Sequence, residues 1–439
     1  MSNVKELYNQ RLISMEKAAE IVQSGDNIVA NPVVGYPSEL SNAITDRYQE
    51  LEDVSIYSLF ALKPYPFLTD EKVAEKINYE TMFMGPFERK LYGNGLFRVN
   101  SVNFSDLSSY IKNTVKPDIF IAQTSPMDED GFMNLGMLGV AYGREAIDVA
   151  EKVIIQVNKE VQPVNKNLPK EMGSDHLIHI SEVDYIVEAD APVLTIPAAQ
   201  PTEIEEQIAN HIVPLIKENS ILQVGYGGLT NAVSYGLIGK VTGLGAHTEM
   251  ITESIMELQK QGVITREIVG GFSLGTQDLY DWTTATDSVH IKPLSLVNKA
   301  SVISEYDNFV SINATLAVDL TGQIASEAIG TRQVSSTGGA GDFVRGATHS
   351  KGGQSFVCLP SSYVNKKTGE RESNIKFSLK SATPVTVPRQ DIMNIVTEYG
   401  VADLWCQSIP ERAKRLIEIA HPDFREELTQ QAREAGYIN

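Results

Sequence analysis

The strongest constraint on the fold is an order of elements that occurs twice along the chain. In the first half, the helical stretch SMEKAAEIVQSG is followed by the apolar run NIVA, the loop NPVVGYPSEL and the helical stretch SELSNAI. In the second half, a helix that begins at Thr202 is followed by the run ILQV, the glycine loop GYGGLTN and the helical stretch NAVSYGL. This repeated order of helix, strand, loop and helix predicts two related α/β halves.

Local signals predict the ends of these elements. Ser14 precedes the first helical stretch and Gly25 follows it, which predicts the start and the stop of a helix. Thr202 and Glu205 have the spacing of a capping box. Pro214 lies within the helical pattern that they begin, which predicts a kink there.

Most of the other strand candidates are continuous apolar runs, as expected for strands that are buried on both faces of a parallel sheet. They are DVSIYSLF, DIFIAQ, KVIIQV and DYIVEA in the first half, and REIVGGF, SVHIKPL, NFVSIN, SFVCLP and PVTV in the second. Between the halves lies APVLTIPAAQPTE, which contains Pro192, Pro197 and Pro201. This join predicts an N-terminal α/β domain over residues 1–196 and a C-terminal α/β domain over residues 197–439.

The composition limits the compartment and the partners. With 37 basic and 56 acidic residues among 439, the formal net charge is −19, which argues against general binding of nucleic acid or of an anionic membrane. An anionic ligand would need a local site of backbone N–H groups and a few basic side chains. Cys358 and Cys406 are the only cysteines and form neither a disulfide framework nor a zinc motif. Without a signal peptide or a membrane-spanning apolar run, the expected location is the reducing cytoplasm.

The glycine loop Gly225-Tyr-Gly-Gly-Leu-Thr-Asn231 follows an apolar strand and opens a helix. Backbone N–H groups at such a helix N-terminus bind phosphate or stabilise an oxyanion. The alternative is a plain tight turn, because short glycine motifs are common.

Glu249 stands in the segment LGAHTEM, beside His247 and Thr248. One interpretation makes it a nucleophile or base at the carboxyl end of a strand, where the sites of α/β proteins usually lie. The alternative makes Thr248 a helix N-cap and Glu249 an acid in the first helical turn. Spacing alone favours the second interpretation.

A second glycine cluster, Gly338, Gly339 and Gly341, lies in SSTGGAGDFVRGA. Its small residues suit close approach to an anionic ligand, and the alternative is a loop that is held by an ion pair between Asp342 and Arg345.

Two further motifs carry weaker signals. SPMDEDG is predicted to be a turn rather than a calcium loop, because it lacks that loop's length and closing Glu. His176 and His179 have a spacing that would put both on one helical face, but neither histidine nor cysteine stands nearby as a third ligand. We therefore predict no metal site.

Taken together, these segments resemble the acetyl-CoA hydrolase/transferase family, in particular its 4-hydroxybutyrate and butyrate CoA-transferase branch. The resemblance covers nearly the whole chain and rests on SPMDEDGF, LQVGYGGLTNAV, LGAHTEMI, VSINATLAVDLTGQIASEAIGTRQ, STGGAGDFVRGA, TEYGVADL and ERAKRLIEIAHPDFREEL, in that order. The chain departs from the family pattern at Met127, at Tyr226 and in the stretch LWCQS, which includes Trp405 and Cys406.

The resemblance implies two related Rossmann-like CoA-transferase domains with an interdomain active site. It implies an acyl-CoA:carboxylate CoA-transferase that uses acetyl-CoA or another short acyl-CoA, passes through a covalent glutamyl-CoA thioester on Glu249 and follows ping-pong kinetics. Coenzyme A is then substrate and product, and the family uses no metal. A homodimer or a larger homo-oligomer is expected. The alternatives are a short-chain acyl-CoA hydrolase and, in another class, a non-catalytic CoA-binding or isomerase-like protein.

The same resemblance implies roles for individual residues. The oxyanion and CoA would be held by the loops that contain Gly225, Tyr226, Gly227, Gly338, Gly339 and Gly341, with the backbone N–H groups near Tyr226 and Gly339 as donors. Glu249 must be ionised, so we expect a moderately low pKa beside a cation, and His247 is the candidate. Asn313 would orient substrate or nucleophile. Lys366 and Lys367 would meet the CoA phosphates, unless they are a solvated basic run.

Overall fold

The computed structural model describes residues 2–439 and contains two compact units. The first unit comprises the described residues up to Pro197 together with Val269–Val297, and the second comprises Ala198–Ile268 together with Asn298–Asn439. Val269–Val297 lies within the C-terminal domain that the sequence predicts, but it groups with the first unit. Its Leu294 N–H donates to the Ala141 carbonyl oxygen at 2.9 Å, and its Ser295 hydroxyl donates to Glu145 at 2.6 Å. The boundary predicted between residues 196 and 197 stays a prediction.

The first unit is built around a parallel sheet whose strands are buried along most of their length. Its strands up to Pro197 are β1 (Asn27–Ala30), β2 (Val54–Ser58), β3 (Ile77–Thr81), β4 (Phe97–Val99), β5 (Ile119–Thr124), β6 (Phe132–Asn134), β7 (Lys152–Val157), β8 (Leu177–His179) and β9 (Tyr185–Glu188). The sheet order is β4-β3-β2-β1-β5-β7-β9 with every neighbour parallel, and β6 and β8 form a separate antiparallel pair.

The second unit contains a similar sheet. The remaining strands of the chain are β10 (Ile221–Val224), β11 (Leu244–Ile251), β12 (Ile264–Ser273), β13 (Val289–Ile291), β14 (Phe309–Ala314), β15 (Ala317–Asp319), β16 (Ile324–Ala325), β17 (Ala328–Ile329), β18 (Arg332–Gln333), β19 (Gln354–Cys358), β20 (Ser362–Val364), β21 (Arg371–Ser373), β22 (Ile375–Lys376), β23 (Asn394–Thr397) and β24 (Gly400–Asp403). Within this unit the order is β11-β10-β14-β19-β23-β24, and the neighbours are parallel except for the pair β23–β24.

Helices surround these sheets. The α-helices are α1 (Ser2–Arg11), α2 (Met15–Glu20), α3 (Ser38–Asp46), α4 (Pro66–Thr69), α5 (Glu71–Ala74), α6 (Pro86–Leu91), α7 (Leu107–Tyr110), α8 (Gly136–Gly139), α9 (Gly143–Ile147), α10 (Glu203–Ile212), α11 (Gly228–Gly236), α12 (Glu253–Lys260), α13 (Gln277–Ala285), α14 (Leu294–Val297), α15 (Ala300–Ile303), α16 (Ala340–His349), α17 (Ile409–Glu418) and α18 (Pro422–Glu434). No helix among residues 2–439 has both the length and the apolar character required to cross a membrane.

The two sheets share a topology. In each, the first strand lies in the middle, the next strand lies on one side of it, and the chain later returns to the other side, so the order reverses between β1 and β5 and between β10 and β14. Ligands of open α/β sheets bind outside the carboxyl ends of the strands at such a reversal. The α/β class that the sequence predicts is thus confirmed, and the elements that follow β10 and β11 are the first place to look for a site.

Several local predictions agree with the structure and three do not. NIVA and ILQV are β1 and β10, and Thr202 and Glu205 form the predicted capping box. Pro214 does not kink α10, which ends at Ile212 before a 3-10 turn, because proline supplies no N–H for the next helical bond. Helix α2 ends at Glu20, well before Gly25. PVTV is not a strand and contributes only an isolated bridge from Val387 to Ile324.

Candidate active site

Glu249 lies near the carboxyl end of β11, in extended backbone. Its neighbour Thr248 also belongs to this strand, and the Thr248 hydroxyl donates a hydrogen bond to the carbonyl oxygen of Val224 at 3.0 Å. The interpretation that made Thr248 a helix cap and Glu249 a first-turn acid is therefore wrong. Because successive side chains of a strand point to opposite faces, Glu249 and Thr248 face opposite sides of the sheet.

The carboxyl group of Glu249 is partly buried and accepts one hydrogen bond, from Asn298 Nδ2 to Oε2 at 2.9 Å. Burial and, to a smaller extent, the negative charge of Asp342 raise the pKa of Glu249, the Asn298 hydrogen bond lowers it, and the net result is a pKa of about 7. The expectation of a low pKa beside a cation is wrong, because loss of water outweighs the single hydrogen bond.

Gly339 lies directly against this carboxyl group. A Cβ atom at position 339 would overlap Glu249 Oε2 and Asn298 Nδ2. The φ of Gly339 is −111°, so close approach, rather than an unusual backbone conformation, requires glycine here. Gly339 is also the N-cap of α16, and the partial positive charge of a helix N-terminus favours an anion beside it.

The glycine loop after β10 lies beside Glu249 by strand register. In the parallel pairing of β10 with β11, Leu222 is opposite Ala246. Continuing this register by three residues puts Gly225 level with Glu249, one strand spacing or roughly 5 Å away. Gly225, the first residue of one glycine loop, is thus the strand neighbour of Glu249, and Gly339 of the other loop lies against its carboxyl group.

The loop itself is held rigidly. The Thr230 hydroxyl donates to the carbonyl oxygens of Gly225 and Gly227 at 2.9 and 3.0 Å. Gly227 caps α11 with φ +136°, a conformation that is essentially restricted to glycine. The side chain of Tyr226 is 52% exposed, so this departure from the family pattern leaves the backbone of the loop unobstructed.

His247 has a structural position. Its ring packs against Tyr306, Phe309 and Phe343, with centroids 4.9, 6.2 and 6.5 Å away, and its Nδ1 lies 3.2 Å from the Tyr306 hydroxyl oxygen. The groups that shift the pKa of Glu249 are Asn298 and Asp342. The structure thus gives no support to His247 as the cationic neighbour of Glu249.

The sequence does not predict which side-chain amide contacts Glu249. Asn313, the predicted orienting residue, is buried and exchanges two hydrogen bonds with Gln223, at 2.9 and 3.1 Å. Asn298 contacts Glu249 instead, and it is fully buried. No motif marks Asn298, which stands in the ordinary run LVNKA. Only the fold brings it to Glu249.

The remaining predicted contacts lie elsewhere or have other partners. Lys366 and Lys367 are exposed in the turn between β20 and β21, where the Lys367 N–H donates to Asn365 Oδ1 at 2.9 Å. Gly338 has φ +63°, and a Cβ at Gly341 would make only an ordinary contact with Val387 at 3.8 Å.

The structural alternative for the second glycine cluster also needs correction. Arg345 does not pair with Asp342 but with Asp391, at 2.7 Å. Arg345 therefore does not form the ion pair that was expected to hold the loop. Its guanidinium instead connects α16 to the turn that precedes β23.

The two histidines of DHLIH do not share a helical face. His179 is the last residue of β8, and its Nδ1 contacts the Ser181 hydroxyl at 2.7 Å. His176 is buried, and burial lowers its pKa to about 4. Within residues 2–439, no group of three or more His, Cys, Asp or Glu side chains is arranged to hold a metal ion.

The site therefore combines a partly buried carboxyl group, the Asn298 amide that donates to it, and the backbone of Gly339 directly beside it. Residues 1–197 match the acetyl-CoA hydrolase/transferase N-terminal domain, and residues 275–432 match the acetyl-CoA hydrolase/transferase C-terminal domain. The chain belongs to the acetyl-CoA hydrolase/transferase family.

Several relatives are similar to this chain over nearly its whole length. It is 37% identical to succinyl-CoA:cyclohexane-1-carboxylate CoA transferase of Geobacter metallireducens, over 98% of this chain and 97% of the relative. It is 34% identical to butyryl-CoA:acetate CoA-transferase of Anaerostipes caccae, over 98% of both. The crystal structure of RipA from Yersinia pestis superposes with a TM-score of 0.89 at 33% identity and covers 99% of this chain and 100% of RipA. The family member is thus an enzyme of the CoA-transferase class.

Proposed function

We propose that this enzyme transfers coenzyme A between short-chain carboxylic acids of the butyrate and 4-hydroxybutyrate type, with acetyl-CoA or another short acyl-CoA as donor. The observation that carries the proposal is the environment of the Glu249 carboxyl group. This group is partly buried, accepts a hydrogen bond from Asn298 and lies directly against Gly339. A carboxylate that is positioned and partly stripped of water is the group that such an exchange requires.

In the first half-reaction, the carboxylate of Glu249 attacks the carbonyl carbon of the acyl-CoA. The carbon–sulfur bond then breaks, which gives a mixed anhydride and the CoA thiolate. The thiolate attacks the glutamyl carbonyl carbon of the anhydride, the bond between that carbon and the bridging oxygen breaks, and the first acid leaves as a carboxylate that keeps this oxygen. The product on the enzyme is a glutamyl-CoA thioester.

The second half-reaction runs these steps backwards with another acid. Its carboxylate attacks the glutamyl thioester, the carbon–sulfur bond breaks, and a new mixed anhydride and the CoA thiolate form. The thiolate then attacks the acyl carbonyl of this anhydride, which releases Glu249 as a carboxylate and the new acyl-CoA. Each tetrahedral intermediate carries an oxyanion. Backbone N–H groups near Tyr226 and Gly339 are the proposed donors, and loss of one such donor costs about 3 kcal/mol of barrier.

Two observations support the choice of class within the family. Relatives that are similar over nearly the full chain are named as transferases between a CoA thioester and a carboxylate, and acetyl-CoA hydrolases match at 26% over 71% of this chain. The fixed position of Glu249 beside Gly339 suits storage of CoA as a thioester. We further propose that the enzyme is a cytoplasmic homo-oligomer, a homodimer or larger.

Steady-state kinetics test this proposal. Loss of acetyl-CoA should require an added carboxylate such as butyrate or 4-hydroxybutyrate, and initial rates should give parallel ping-pong lines. Loss of acetyl-CoA at the full rate without any acid would identify a hydrolase. Intersecting lines would indicate direct transfer in a ternary complex.

A further inference from the structure

One peptide bond joins the first unit to the residue that donates to Glu249. The first unit includes Val269–Val297, and the second unit continues from Asn298. Val297 is the last residue of α14. The side-chain amide of the very next residue, Asn298, donates to Glu249 Oε2 at 2.9 Å. Whatever fixes the end of α14 therefore also fixes the backbone from which this amide extends.

The amide itself has few other contacts that could hold it. Asn298 is fully buried, and within residues 2–439 its Oδ1 has no hydrogen-bond partner. Its Nδ2 donates to Glu249 and lies close to the backbone of Gly339. A side chain with a single hydrogen bond follows its own backbone when that backbone moves. The orientation of the amide towards Glu249 thus depends on the position of α14.

The chain that leads into α14 is held by side chains of the first unit. Asn165 bonds both backbone groups of Ile291, since its Nδ2 donates to the carbonyl oxygen at 2.7 Å and its Oδ1 accepts from the N–H at 2.9 Å. Asn165 is buried and has φ +53°, a left-handed conformation that asparagine tolerates. Asp175 forms an ion pair with Lys292 at 3.6 Å. The strand β13 is therefore fixed where it leads into α14.

Helix α14 is held by one backbone bond and by one buried carboxyl group. The Leu294 N–H donates to the Ala141 carbonyl oxygen at 2.9 Å. The Ser295 hydroxyl donates to Glu145 Oε1 at 2.6 Å, and Glu145 is buried. The helix also packs against α7 of the same unit. Because a helix of four residues has little stability of its own, these contacts decide where α14 lies.

We infer that the first unit positions the amide that orients Glu249, and that Ser295 and Glu145 are positioning residues for the transfer reaction. Their effect passes along α14 and the peptide bond after it to Asn298, and from its amide to the carboxyl group. The Ser295 hydroxyl is bonded to Glu145 and so acts on Glu249 only through this route. This inference rests on the proposed function, because it takes Glu249 as the nucleophile.

Removal of the Ser295 hydroxyl tests the inference. In Ser295→Ala the amide of Asn298 should hold Glu249 less firmly, and kcat should fall about fivefold, as for loss of a typical hydrogen bond. Because the amide favours the ionised carboxylate, the pH profile of kcat/KM should also shift to higher pH. Asp342, the charged group that acts on Glu249, is the same in both enzymes. As the control, Ser304→Ala removes a hydroxyl that donates to a carbonyl oxygen of α15 at 2.9 Å, and it should change neither value.

Two variants of the acceptor check the same hydrogen bond from its other side. Glu145→Ala should reproduce the loss and the pH shift of Ser295→Ala, because both lack the bond. Glu145→Gln should retain nearly full activity, because its amide oxygen can still accept from Ser295. Thermal melts should show that all these variants are folded. Full activity in folded Glu145→Ala would overturn the inference.

A double variant tests whether the effect passes through the amide. In an Asn298→Ala background, Ser295→Ala should cause no further loss of kcat, because the amide is already gone. A fivefold loss that persists there would mean that Ser295 acts by another route, and it would overturn the inference. An unchanged kcat and pH profile in folded Ser295→Ala would do the same. Failure of the proposed function would look different, as absent transfer in the unaltered enzyme or full transfer in Glu249→Gln.

Discussion

Each unit contains a glutamate whose pKa is raised to about 7, and the two have different surroundings. Glu88 of the first unit is completely buried, and its carboxylate oxygens accept hydrogen bonds from the backbone N–H groups of Ala61 at 2.6 Å and Gly85 at 3.1 Å. Glu249 of the second unit keeps some contact with solvent, and within residues 2–439 its Oε1 accepts no hydrogen bond.

This difference separates a structural acid from the acid that we propose to be reactive. Burial raises the pKa in both cases, so a raised pKa alone does not identify a catalytic group. Each oxygen of Glu88 accepts a hydrogen bond from a backbone N–H near the start of α6, which leaves no oxygen for a substrate. Glu249 has a free oxygen, a fixed orientation from Asn298 and the glycine backbone of position 339 beside it. Access and an unsatisfied oxygen distinguish the second site.

The largest expected effect comes from removal of each carboxylate. Glu249→Gln should lower kcat by at least about 10⁴-fold, because an amide cannot form the anhydride and loss of a nucleophile is seldom compensated. Glu88→Gln should leave kcat within a few-fold and lower the free energy of unfolding by about 1–3 kcal/mol, because one buried N–H loses its acceptor. Turnover assays and denaturant melts measure both, and a reversal of the two patterns would exchange the roles.

A smaller loss is expected from crowding of the nucleophile. Gly339→Val should lower kcat by about 10²–10³-fold, because the new side chain occupies the space of Glu249 Oε2 and displaces the oxyanion donor. Gly341→Ala, at a position where a Cβ makes only ordinary contacts, should lose little. Circular dichroism should show that both variants are folded. Equal losses in the two variants would mean that the loop is sensitive to any change.

Removal of the orienting amide should act through the pKa. Asn298→Ala deletes the hydrogen bond that favours the ionised form of Glu249, so the pKa of Glu249 should rise above 7. Only the ionised form attacks, so kcat/KM for acetyl-CoA should rise with pH and level off above the pKa. The variant's profile should shift to higher pH, with a loss of about tenfold at pH 7. A uniform loss at every pH would indicate a merely structural role for Asn298.

The smallest effect concerns stability and pH. The folded-state pKa of Glu249 lies above its ordinary value, so its ionisation opposes folding. This penalty is absent below about pH 4.5 and complete above about pH 7. Glu249→Gln should therefore be more stable than the unaltered enzyme by about 3 kcal/mol at pH 8 and equally stable at pH 4. Thermal melts at the two pH values measure the gain. A gain that is the same at both would attribute it to packing.

The sequence predicted elements better than it predicted contacts. The apolar runs NIVA, ILQV and KVIIQV coincide with β1, β10 and β7, because continuous burial leaves a local signature. Spacing alone favoured a helix cap for Glu249, and only the family resemblance pointed to a nucleophile. The strand that carries Glu249 overrides the local capping signal, since its neighbours in the sheet lie far away in sequence.

Contacts between distant segments could not be predicted from the residues. Asn298 stands 49 positions after Glu249, and no spacing rule connects them. The basic run with Lys366 and Lys367 stood out in the sequence, yet it forms an exposed turn, whereas Lys376 and Lys380 line a cavity. A run of basic residues indicates an exposed surface. Only the fold shows which of the basic side chains lack an ion-pair partner.

The central claim is that Glu249 carries coenzyme A covalently, and intact-mass measurement tests it most directly. Enzyme supplied with acetyl-CoA and no acceptor acid should gain the mass of one CoA per chain. Borohydride should reduce this thioester and leave an alcohol at position 249. Glu249→Gln should show neither adduct nor exchange, and Glu88→Gln should show both. An adduct that maps to another residue, or normal exchange in Glu249→Gln, would contradict the account.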